Sequence, residues 1–136
     1  MFELFEHTAD VGLRVRAGDL NRLFEDAAQA LFSAILADPD SAKPVEEMVF
    51  NIEGTRYDDL LFDWLSELLF TFATRHVVFA DFSVRVHKAG LAAIVRGEPI
   101  DPARHELGAE IKAITYHGLK VEQTADGWLA EVIVDV

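Results

Sequence analysis

Two stretches of the chain repeat their apolar residues every three or four positions, and most of the rest alternates. MFELF alternates at the start, and Leu13, Val15 and Ala17 alternate with Arg14 and Arg16, the period of strands with one buried face. Gly18 and Asp19 break that pattern, and Asp19 suits a helix N-cap. From Leu20, apolar residues at 23, 24, 27, 28, 31, 32 and 35 predict a long amphipathic helix ending near Ala37, ahead of Asp38-Pro39. ADPDSAKP reads as a turn-rich loop, and VFNIEG as a strand with Val49, Phe50 and Ile52 partly buried.

Thr55-Arg56-Tyr57-Asp58 has the spacing of a capping box, with Asp in place of Glu. A second helix follows, whose wide stripe from Leu60 through Trp64 to Phe72 predicts central packing and a stop at Thr74-Arg75-His76. VVFADFSVRVHK reads as one long strand or two short ones, turning at Ala89-Gly90 into LAAIVRGE. After the loop PIDPARH, the segments IKAITYH and LKVEQT alternate. Ala125-Asp126-Gly127 then turns into WLAEVIVDV, with Trp128, Ala130, Val132 and Val134 on one face. The order is ββαβα followed by four or five strands. That predicts an α+β fold, a largely antiparallel sheet with two long helices packed on one face, in a single domain over 1–136. A strand–helix unit occurs twice, without a fixed-period repeat.

Composition narrows the function. The chain lacks cysteine, which excludes disulfides, thiol nucleophiles and cysteine-type zinc sites. A formal charge of −12 repels phosphate backbones, so direct, strong nucleic-acid binding is not expected. Acidic surfaces suit cations or basic proteins, and equally plain solubility. The start MFELFEH has neither a basic n-region nor an apolar h-region, so no secretory leader is expected. LLFDWLSELLFTFA is interrupted by Asp63, Ser66 and Glu67 and is too short and charged to span a membrane.

The motifs of common chemistries are missing: HExxH, GxSxG, the Walker A loop and GxGxxG. The five histidines form no close ligand pair. EHTADVG places Glu6, His7, Thr8 and Asp10 between two strand-like pieces, and Asp135 ends an otherwise apolar strand beside the α-carboxylate of Val136. Adjacent terminal strands would gather Asp10, Asp135 and that carboxylate, whose repulsion needs a proton or a cation. An all-oxygen set suits calcium or magnesium. An Asx-turn at Asp10 and a solvated strand end at Asp135 explain the same residues without an ion. Asp59, Asp63 and Glu67 form one acidic helical row, either a solvated face or, at Glu67, part of a site. Lys112 sits in an apolar-rich strand pattern, facing solvent, pairing with Asp10 or contacting a partner.

Five segments in this order resemble the archease family: EHTADVG (6–12), WLSELLF (64–70), RGEPIDPARH (96–105), IKAITYHG (111–118) and VIVDV (132–136). The resemblance implies a small cytoplasmic α+β protein that is not itself an enzyme. It implies a protein cofactor of the RtcB-type RNA ligase of tRNA splicing and RNA repair, promoting guanylylation by GTP and multiple turnover. It also implies a divalent-metal site at Asp10 and Asp135, and a functional Lys112. Glu67 carries over more loosely, and His7 is equally explained by a turn role. A general chaperone or adaptor for RNA-modifying enzymes, and a stand-alone metal-dependent enzyme, are the alternatives.

Overall fold

A computed structural model describes residues 1–7 and 10–136; Thr8, Ala9 and the side chain of His7 lie outside the described residues. The elements are β1 (Phe2–His7), β2 (Asp10–Ala17), α1 (Leu20–Ile35), β3 (Glu46–Glu53), α2 (Tyr57–Arg75), β4 (Val77–His87), β5 (Gly90–Pro99), β6 (Ala113–Ile114), β7 (Lys120–Thr124) and β8 (Gly127–Asp135). The α+β class holds, but the strands form two antiparallel sheets rather than one. Strands β1, β2 and β8 lie side by side, with β6 and β7 sharing the far edge of β8, while β3, β5 and β4 make a separate sheet. The division follows from connectivity. The chain ends pair with each other, and among the described residues the β4–β5 hairpin takes β3 as its further neighbour.

Asp19 caps α1 as the sequence predicts, its carboxylate accepting the Arg22 N–H at 2.8 Å. The helix stops at Ile35 rather than Ala37 because Leu36 turns extended and bridges Leu107, and the Ala37 N–H bonds the Glu106 carbonyl at 2.9 Å. The capping box at Thr55 does not form. Arg56 occupies the N-cap without a side-chain hydrogen bond, and Asp58 instead accepts the Asp59 N–H at 2.9 Å and pairs with Arg56 at 3.2 Å. At the other end His76 takes the left-handed conformation at φ 53° and bonds the Phe72 carbonyl at 3.0 Å, closing α2 where expected. VVFADFSVRVHK is one strand, kept continuous by a bulge between Phe79 and Asp81.

The core lies between the helices and the buried faces of both sheets. Trp64 is fully buried at its centre, stands edge-on to Phe50 and donates its indole N–H to the Phe24 carbonyl at 3.0 Å, so the largest side chain also ties α2 to α1. IKAITYH departs from its alternation: only Ala113 and Ile114 are strand. The Thr115 N–H and hydroxyl both bond the Ile133 carbonyl, at 3.0 and 2.9 Å, and Gly118 at φ 62° swings the chain into β7. No described helix is long and apolar enough to cross a membrane.

Candidate functional site

The register of the first sheet brings the two chain ends together. Val11 is opposite Val134 and Leu13 opposite Val132, so one further step puts Asp10 opposite Asp135. His7 is the Cα partner of Asp10 in β1, and Ala113 is that of Asp135 in β6. Four strands therefore contribute His7, Asp10, Asp135 and Ala113 to one transverse row.

Hydrogen-bond parity fixes what kind of pair the aspartates make. Arg16 bonds Met1 across β1, so even residues of β2 point their amides toward β1; Thr115 bonds Ile133, so odd residues of β8 point theirs toward β6. Asp10 and Asp135 are thus a non-hydrogen-bonded pair, the type whose Cα atoms approach to about 4.5 Å and whose side chains lie closest. Both lie on the outer face, because Leu13, Val132 and Val134 fill the inner one. Asp10 is half-buried and Asp135 exposed. The Val136 side chain packs against the core, which fixes the position of the main chain just beyond Asp135.

Lys112 joins this end through its backbone, donating its N–H to the Asp135 carbonyl at 2.7 Å while its side chain is exposed. The segment that carries it is held on its other side by Tyr116, whose ring stacks on Phe62 of α2 with centroids 3.9 Å apart and planes 12° apart. Burial and the nearby Asp59, Asp63 and Asp58 push the Tyr116 hydroxyl above its ordinary pKa. Glu67 is placed elsewhere, exposed on α2 and lining a groove against β3. Among the described residues no three His, Asp or Glu side chains are grouped to hold an ion. Asp10 and Asp135 carry carboxylates at these strand ends, and carboxylate oxygens are the donor type that suits a hard cation which retains water.

The same outer face carries an ion ladder. Lys120 pairs with Glu131 at 3.0 Å, Glu131 with Arg14 at 2.9 Å, and Arg14 with Glu3 at 3.1 Å, spanning β7, β8, β2 and β1. The Arg14 guanidinium lies 4.5 Å from the centre of the Phe5 ring. Burial pushes the Glu131 carboxyl up, and its bonds from Lys120 and Arg14 outweigh that and hold it below the ordinary range.

In RGEPIDPARH the end of β5 and the loop PIDPARH close a latch on two buried residues, Glu98 and His105. Glu98 accepts from the Arg104 guanidinium, from the Lys43 N–H at 2.7 Å and from His105 Nε2 at 3.2 Å. The Asp101 N–H donates to His105 Nδ1 at 2.8 Å, which leaves the proton on Nε2, facing Glu98. The Arg104 bond, opposed by burial, lowers the Glu98 pKa to about 2. Spacing gave no warning of this cluster; a carboxylate followed six and seven residues later by Arg and His has no periodicity to read.

Residues 2–136 match the Archease protein family (MTH1598/TM1083). A protein of Methanopyrus kandleri named archease is 40% identical over 139 residues, covering 99% of each chain. One of Pyrococcus furiosus, also named archease, is 39% identical over 140 residues, covering 99% of this chain and 98% of its own. The solution structure of Methanobacterium thermoautotrophicum protein 1598 matches with a TM-score of 0.87 at 34% identity, over 99% of this chain and 98% of that one. A Thermotoga maritima crystal structure, described as an archease and possible chaperone, shares the fold with a TM-score of 0.66 at 24% identity, over 100% of this chain and 98% of its own.

Proposed function

This chain belongs to the archease family, and on that premise we propose that it is a protein cofactor of an RtcB-type RNA ligase, raising the ligase's guanylylation by GTP and sustaining its repeated turnover in tRNA splicing or RNA repair. The observation that carries the reading is the close, non-hydrogen-bonded pairing of Asp10 and Asp135, with Lys112 tied to the same strand end. Two carboxylates held side by side on a pinned sheet edge repel, and a divalent cation, calcium or magnesium, relieves that repulsion. Asp10, Asp135 and the Val136 carboxylate would hold it. The cation would supply charge neutralisation for the triphosphate at the ligase's guanylylation centre.

The chain's own contribution is placement. β2 and β8 would set the spacing of the carboxylates, and Lys112, just ahead of β6, would lie beside them through its backbone bond to Asp135. Lys112 offers a positive charge to a phosphate or to an acidic residue of the ligase, and His7 stands next in the same row. The protein's acidity disfavours direct RNA binding, so its action is exerted on the ligase in the cytoplasm rather than on the nucleic acid. A general chaperone does not call for this pairing at the strand ends; a stand-alone metal-dependent enzyme would, and turnover without a ligase separates the two.

The test is RNA joining with the ligase limiting. The account predicts many joined ends per ligase with this protein present and about one without it. Equal yields in both reactions would sink the reading, and hydrolysis of a small substrate by this protein alone would favour an enzyme instead.

A further inference from the structure

The second sheet has two edges, and the chain treats them differently. The edge at β4 is sealed by α1: Asn21 Oδ1 accepts the Val86 N–H at 2.8 Å, Glu25 Oε2 accepts the Val84 N–H at 2.9 Å, and the Gln29 amide donates to the Ala80 carbonyl at 3.1 Å. These side chains, four residues apart, stand in for the missing neighbouring strand.

Among the described residues the edge at β3 has no such cover. β4 and β5 join through a two-residue turn between His87 and Gly90, which directs odd residues of β5 toward β3. The Gly54 N–H bonds the Ala89 carbonyl at 3.0 Å, in agreement. Even residues of β3 therefore bond β5, and Glu47, Val49, Asn51 and Glu53 point their N–H and C=O groups outward. Beside them runs a groove of about 1240 Å³ whose opposite wall is α2. That wall presents Asp63 and Glu67 at the spacing by which Asn21 and Glu25 seal β4 on α1, yet neither bonds β3. Apolar surface flanks the groove, with Val49 65% and Phe70 62% exposed.

We propose that β3 is a docking edge for an extended, basic segment of a protein partner, which adds as a fourth strand and sets its cationic side chains on Asp63 and Glu67. Backbone pairing supplies the attachment, and the carboxylates select the occupant. Charge argues against a second copy of this chain, since two edges bearing Glu46, Glu47 and Glu53 would face each other across the pairing. The inference needs neither the cation nor the ligase.

The probe is a labelled hexapeptide of alternating valine and lysine, titrated by anisotropy and by amide spectra of the isotopically labelled protein. Binding should shift the amides of Val49 and Asn51, slow their hydrogen exchange, and weaken with salt. Val49→Pro removes an edge-facing N–H that β5 does not use and should weaken binding at least tenfold. The double reversal Asp63→Lys/Glu67→Lys, on an exposed helix face, should do the same with the fold intact. Failure of the peptide to bind, equal binding of a valine–glutamate twin, amide changes away from β3, or full binding by the double reversal would each overturn the proposal.

Discussion

Replacing Asp135 by Asn tests the strand-end pair by a change of sign. Continued one step past Val11–Val134, the register sets Asp10 opposite Asp135 at a non-hydrogen-bonded position, with their charges roughly 5 Å apart. At that distance two like charges repel by about 0.8 kcal/mol in bulk-water dielectric, and more where Asp10 is half-buried. Unfolding a chain of this length carries an entropy of about 0.3 kcal/mol/K, so removing the repulsion should raise the Tm by about 3 °C in chelator. Calcium should reverse the order. At a hundredfold excess over its dissociation constant, binding stabilises wild type by about 2.7 kcal/mol, or about 9 °C. Asp135→Asn, with a donor lost, should gain much less. Scanning calorimetry of both proteins in chelator and in calcium reads the crossing, with Asp126→Asn in the exposed β7–β8 turn as control. A variant no more stable than wild type in chelator, or one that responds equally to calcium, would refute the reasoning.

Three further outcomes follow from the neighbouring contacts. Glu98 has its pKa lowered from 4.5 to about 2, so its contribution to stability is full above 4.5 and is lost as the pH falls toward 2; Glu98→Gln should flatten this part of the acid-unfolding curve, and an unchanged curve would contradict the latch. A double-mutant cycle on Phe62→Leu and Tyr116→Leu should return a coupling of about 0.5–1.5 kcal/mol by urea denaturation, and additivity would mean the stack does not hold the Lys112 segment. Trp64→Phe, which empties space and removes the indole bond to the Phe24 carbonyl, should cost about 2–4 kcal/mol on the same assay, while a loss below about 1 kcal/mol would remove Trp64 from the centre of the core.

Both helices and most strands were legible because their periods are strong: the stripe from Leu60 to Phe72 and the alternation through Val132 and Val134 allow one reading each. IKAITYH misled because alternation records which side chains are buried, whereas Thr115 and Gly118 decide where pairing ends. The capping box failed on a local contest, in which Arg56 takes Asp58 for an ion pair. One sheet became two because pairing partners are not written in periodicity. At the site, residue types and chain ends suggested Asp10 with Asp135, and the register, which pairs Val11 with Val134, brings the two strand ends side by side. Lys112 stood out as a lysine in an apolar-rich strand pattern and gained an expected function only from family resemblance, and its link to Asp135 is a backbone bond that no side-chain pattern encodes. Nothing in the sequence distinguished the sealed edge of β4 from the open edge of β3.

The most direct test of the central claim is transfer of labelled guanylate from GTP to an RtcB-type ligase, measured with wild type, Asp10→Ala, Asp135→Ala and Lys112→Ala, each first shown to be folded. The account predicts that wild type accelerates labelling and that each substitution reduces the acceleration at least tenfold. Wild-type acceleration by all three variants would contradict it.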